Sequence, residues 1–175
     1  MDPGVYYGAF CIGEVMSSRN KMESALSNLA SRLRLDSLSL NDRNECYLMF
    51  DQKFHVRCVF LENEDECLLY SAVGKLEKNS VDAYSKILGD NFFWVGTAGA
   101  KLILEPGAGK EDNLSLVEYV PMSMFDEERL YERMEDFVNA VEYWSTEYPK
   151  LQQGGGVPAP SASASSSGNT GMFRA

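Results

Sequence analysis

One histidine in 175 residues, four cysteines without a CxxC-type pair, and 16 basic residues against 26 acidic ones leave little room for several kinds of chemistry. The missing paired spacing excludes the zinc-ribbon and thioredoxin-type patterns, so Cys11, Cys46, Cys58 and Cys67 read as small core residues in a reducing compartment. A formal net charge of −10 argues against a nucleic-acid backbone or an anionic membrane as the main partner. No apolar run reaches the length that a bilayer demands, and the first residues lack the basic start of a signal peptide. These absences favour an acidic, soluble, cytoplasmic domain.

Nucleotide and nucleophile motifs are missing too. Gly107-Ala108-Gly109-Lys110 is followed by Glu111 where a phosphate loop needs Ser or Thr, and Glu111 and Asp112 repel phosphate. His55 and Cys58, three apart on one strand, point to opposite faces and make no catalytic pair. The sequence therefore predicts no enzyme, no cofactor and no metal.

Residues 1–16 carry Tyr6, Tyr7, Phe10 and Ile12 without helical or alternating period, which leaves open an extra strand, a loose arm, or a translation start at Met16 or Met22. Residues 17–150 read as one domain. A helix over Arg19–Leu33, with Ser17 or Ser18 as N-cap, aligns Met22, Leu26, Leu29, Ala30 and Leu33 on one stripe. Strands are expected over Cys46–Phe50, Phe54–Leu61 and Glu66–Val73, followed by a linker from Gly74 to Ser80. Alternation sends Leu48 and Phe50 to one face and Tyr47 and Met49 to the other, so both faces are partly apolar. Either helices cover both, or one face meets a ligand.

A shorter helix from Val81 to about Asp90 leads into the cluster Phe92-Phe93-Trp94, which carries more apolar area than one narrow element hides and points to a second chain. Leu102–Leu104 and Leu114–Val120, separated by the loop Pro106–Asn113, read as a hairpin. A long helix capped by Ser123 or Asp126 carries Leu130, Met134, Phe137, Val138, Val141, Trp144 and Tyr148, with Pro149 as its expected end. From Gln152 onward the Gly/Ser/Ala/Pro composition predicts a disordered tail, taken as residues 151–175.

The order α-β-β-β-α-β-β-α is similar to that of the class I type III secretion chaperones, the family of the Tir, YopE and SptP chaperones (CesT, SycE and SicP). The resemblance rests on Cys46–Asp51 before a tight turn, Leu68–Leu76, Leu88–Trp94, Thr97–Leu102 and Phe137–Trp144. The low-complexity tail resembles those of chlamydial secretion chaperones. What the resemblance implies is an α+β sandwich, an antiparallel sheet with three helices, that forms a homodimer and holds the N-terminal region of effectors in extended form, without ATP, in the bacterial cytoplasm. It makes Ile87, Leu88, Phe92, Phe93 and Trp94 dimer-interface candidates and Leu26, Leu33, Leu48, Phe50, Phe54 and Val56 effector-binding candidates. Two roles stay open for the tail: recruiting export-apparatus components, or solubilising the dimer. Two other readings compete, a YbjN-like regulatory module of the same fold and a cysteine- or metal-dependent enzyme.

Overall fold

The structure is a computed structural model that describes residues 17–152 apart from 79 and 95. The expectations for residues 1–16 and for the tail beyond 152 lie outside the described residues. Helix α1 spans Ser18–Leu33, and Ser17 caps it by accepting the Asn20 amide at 3.2 Å. Met22, Ala25, Leu26, Leu29 and Ala30 form its buried stripe. Arg34 closes it in the left-handed region, φ 58°, with its N–H returned to the last turn.

Five strands follow in one antiparallel sheet: β1 (Glu45–Phe50), β2 (Phe54–Leu61), β3 (Glu66–Glu77), β4 (Lys101–Glu105) and β5 (Glu111–Pro121). Their spatial order, β1-β2-β3-β5-β4, leaves β1 and β4 as the edges. Register places Leu48 opposite Val56, Cys58 opposite Leu69 and Leu102 opposite Leu116, all on the face that joins the core. Helix α2 (Val81–Phe93) and helix α3 (Glu127–Gln152) pack on that face with α1, around a fully buried Trp144 and Phe137. Val59 and Val117 are buried on the opposite face, outside the core cluster. Of the two accounts of a doubly apolar sheet, the one with helices on both faces does not hold among the described residues.

Four expected boundaries are corrected. Gly74–Glu77 is not a linker but the end of β3, paired with Glu111–Leu114 after a bulge at Ala72/Gly74. A Cβ on Gly74 would sit 2.4 Å from the Tyr148 ring, so the glycine serves packing rather than a chain break. The loop before β5 accordingly ends at Lys110, not Asn113. Helix α2 runs on to Phe93, because Asn91 clamps β4: its Nδ2 donates to the Leu102 carbonyl and its Oδ1 accepts the Leu102 amide, both at 2.8 Å. Pro149 does not end α3, which reaches Gln152. Proline forfeits one helical hydrogen bond there, near the end, where Tyr148 packed over Gly74 holds the last turn in place.

Candidate peptide groove and protomer contact face

Two adjoining cavities lie between the C-terminal half of α1, α3 and the free edge of β1. The inner one, about 150 Å³, is walled by Leu29, Leu33, Phe50, Tyr131, Met134 and Val138 with Glu135 and Asn139. The outer one, about 490 Å³, is walled by Leu33, Leu35, Asp36, Ser37 and Leu38 on one side and by Tyr47–Asp51 on the other. Leu33 and Phe50 belong to both, so the cavities form one groove. Tyr47 to Phe50 are four consecutive residues of a pleated strand that face alternate sides, and they line one wall together only through the strand's backbone edge.

That edge is open. Phe60 donates to the Asn44 carbonyl and Asn41 to the Glu45 carbonyl, so even-numbered residues of β1 bond toward β2 and odd-numbered ones face away. The main-chain groups of Tyr47 and Met49 thus project from the sheet, and β1 pairs with no strand but β2 among the described residues. The other edge is closed at the matching position by the Asn91 clamp on Leu102. A groove with an apolar floor and a ladder-ready wall suits an extended peptide: main-chain bonds to the edge, alternate side chains to the floor.

Of the effector-binding candidates, Leu33, Leu48 and Phe50 come together at this groove, while Leu26, Phe54 and Val56 are buried in the protomer core and line neither cavity. Sequence reasoning missed Tyr131 and Val138. Both are half-buried on the flank of the α3 stripe and pack against the core, and the only signal was a stripe wider than one core-facing face requires.

A second apolar surface lies on α2. Ala83 and Ile87 face inward, while Val81, Leu88 and Phe92 lie outward, Leu88 at 69% and Phe92 at 78% exposure. Trp94 continues this outer face at 67% exposure and sits at φ 54°, a conformation that costs a bulky residue about 1 kcal/mol. Ile87 belongs to the protomer core and is not available to a second chain. Phe93 lies in the last turn of the same helix.

Behind Trp94 the turn to β4 is held from below. Gly96, φ 65°, lies against the Tyr143 ring, where a Cβ would come within 2.3 Å. Arg133 of α3 donates to the Ala98 carbonyl at 2.8 Å and from Nε to Glu118 of β5 at 2.7 Å. Burial pushes the Glu118 carboxyl above the usual range, against the pull of Arg133.

Catalytic groupings are not found among the described residues. His55 is exposed and Cys58 buried, on opposite faces, as alternation demands. The Cys58 and Cys67 sulfurs lie 3.5 Å apart inside the core, and their mutual hydrogen bond, with burial, holds the Cys58 thiol well above its ordinary range. Among the described residues no group of His, Cys, Asp and Glu suited to a metal occurs, and no helix is long and apolar enough to cross a membrane.

Fold and groove define a class of α+β modules in which an apolar groove runs beside an open sheet edge. The family model of the Tir chaperone protein (CesT) family matches residues 24–145, and the chain belongs to that family. It is a family of type III secretion chaperones, not of enzymes. Among solved structures, the chain is similar to a chain of the ExsC-ExsE complex, with 19% identity, 75% of this chain and 96% of that one covered, and a TM-score of 0.61. It is also similar to the Yersinia pestis type III secretion chaperone SycH in complex with a stable fragment of YscM2, with 19% identity, 70% and 98% covered, and a TM-score of 0.56. A chain of the heterodimeric ExoU-SpcU complex from the type III secretion system of Pseudomonas aeruginosa matches with 15% identity, 73% and 98% covered, and a TM-score of 0.55. No curated protein matches the sequence.

Proposed function

We propose that this chaperone holds an extended segment from the N-terminal region of a type III effector in the groove between α1, α3 and β1, as a homodimer in the bacterial cytoplasm. The carrying observation is the meeting of Leu33 and Phe50 over both cavities beside the open Tyr47–Asp51 edge. Strand addition at that edge supplies affinity that depends little on cargo sequence, and the apolar floor supplies register. No nucleotide enters this scheme, because holding a segment extended requires only that the complex be more stable than the collapsed cargo. Membership of the family favours this reading over the regulatory module and the enzyme.

The outer face of α2, with Leu88, Phe92 and Trp94, supports a dimer contact, and Phe93 of the last turn joins it as a candidate. Three large exposed apolar side chains on one helix end form the kind of patch that a soluble monomer rarely keeps. Export-apparatus components remain the proposed second partner for the chain beyond residue 152.

The test is co-expression with an effector's N-terminal region, followed by light scattering of the purified complex. The expected mass is two copies of this chain plus cargo. Phe50→Asp and Leu33→Asp should each lower cargo capture at least about tenfold, since a charge on the groove floor goes unpaired when the segment covers it. Retained capture in both variants rules the groove out as the cargo site.

A further inference from the structure

The groove has a candidate occupant within the chain itself. Residues 1–16 precede Ser17, the cap of α1, and the start of α1 lies beside the start of β1: Arg19 Nη1 donates to Asn44 Oδ1, one residue before that strand. A segment leaving Ser17 and laid along the free edge runs antiparallel to β1, the sense that every strand pair in this sheet already has. Sixteen extended residues reach about 50 Å, whereas the six residues of β1 span about 20 Å. The segment therefore passes the whole edge and has length to spare.

Composition points the same way. Val5-Tyr6-Tyr7-Gly8-Ala9-Phe10-Cys11-Ile12 is uncharged and rich in strand-forming residues, and the charged side chains of the first sixteen residues, Asp2 and Glu14, flank it. A groove with Asp36 and Asp51 on its rim, in a chain of net charge −10, accepts an uncharged strand more readily than an acidic one. The tail after Gln152 competes poorly, being dominated by Gly, Ser, Ala and Pro. The edge itself asks for cover: Tyr47 and Met49 stand 61% and 59% exposed, and among the described residues their outward main-chain groups meet no other strand, with the Cys46 thiol beside the Tyr47 amide.

We infer that residues 5–12 pair as an antiparallel strand with the Tyr47–Met49 edge of their own protomer and fill the groove until cargo displaces them. The inference rests on the groove being the cargo site only in its last clause. Its consequence is competitive: the segment lowers apparent cargo affinity and shields an aggregation-prone edge in the empty chaperone.

Amide hydrogen exchange of the full-length protein without cargo tests this, against a variant lacking residues 2–12 but retaining Ser17. Tyr47 and Met49 should exchange about tenfold or more faster in the shortened chain, while Leu48 and Phe50, bonded toward β2, stay unchanged. A synthetic peptide of residues 1–14 added to that variant should restore the protection. Equal Tyr47 and Met49 rates in the two proteins overturn the inference, as does protection that vanishes on dilution through dimer dissociation, which assigns the edge to a second copy. If Leu48 and Phe50 also speed up, the full-length Tyr7→Pro/Phe10→Pro variant decides: selective loss at Tyr47 and Met49 supports the inference, and unchanged rates overturn it. Failure of the cargo reading shows separately, as a shortened chain that binds no effector segment while the exchange difference persists.

Discussion

Arg133 reaches Glu118 and the Ala98 carbonyl with one guanidinium, at 2.7 and 2.8 Å, and so ties helix α3 to strand β5 and to the turn that carries Trp94. The contact lies under the α2 face rather than on it. Replacing Arg133 by Met leaves Glu118 buried without its counter-ion, at a cost of about 3 kcal/mol, and frees the turn. Urea unfolding of Arg133→Met should show that loss, and Arg133→Met/Glu118→Gln should recover most of it.

Acid titration isolates the same pair. Glu118 carries a pKa raised above its unfolded value, so the native state binds its proton first and stability from this group falls as pH rises through that interval. Relative to Glu118→Gln, the native protein should therefore gain stability as pH is lowered from 7 toward the ordinary carboxylate range. Parallel curves for the two proteins would show that Glu118 titrates as it does unfolded.

Trp94 separates protomer stability from association. Trp94→Gly removes the left-handed strain and should leave the protomer equal or up to about 1 kcal/mol more stable. The same change deletes a large apolar side chain from the proposed contact, so the dimer should dissociate at higher concentration in sedimentation. Trp94→Asp should yield monomer outright. An unchanged dimer in both removes Trp94 from the contact.

Cys58 and Cys67 should resist maleimide in the folded protein at pH 8 and react fully in urea, since both are buried in the core and the hydrogen bond to Cys67, with burial, disfavours the Cys58 thiolate. Fast labelling of either in the native state would mean that the β2–β3 region opens readily.

What could be read beforehand follows from where local pattern and tertiary role coincide. The limits of β2 agree at both ends and those of β1 within one residue, because alternation over Phe54–Leu61 and the turn at Asp51-Gln52-Lys53 state them locally. The end of β3 was hidden because Lys75 and Glu77 flank a lone Leu76 and Gly74 looks like a break; its reason for being glycine, the Tyr148 ring, lies seventy-four residues away. The Asn91 clamp is equally nonlocal, and without it α2 was expected to stop at about Asp90, short of the aromatic cluster. At the groove, Leu33, Leu48 and Phe50 were legible as apolar residues of α1 and β1, and only the family resemblance made them cargo candidates. Core and groove residues share the same side-chain types, so Leu26, Phe54 and Val56 were indistinguishable from them until burial separated the two sets.

Strand order has one more consequence, a minimum size for cargo. The groove lies beyond β1 and the α2 face on the β4 side, with four strand spacings, about 19 Å, between the two edges. In a dimer joined through α2 the two grooves stand at the far ends, at least about 40 Å apart before the helices between them are counted. An extended chain advances about 3.3 Å per residue, so a segment filling both grooves at once needs well over a dozen residues between its two anchor points. Under the proposed dimer and groove, shorter segments would occupy only one end, and effectors engaging both ends would be sorted by the length of that spacer before any side chain is read.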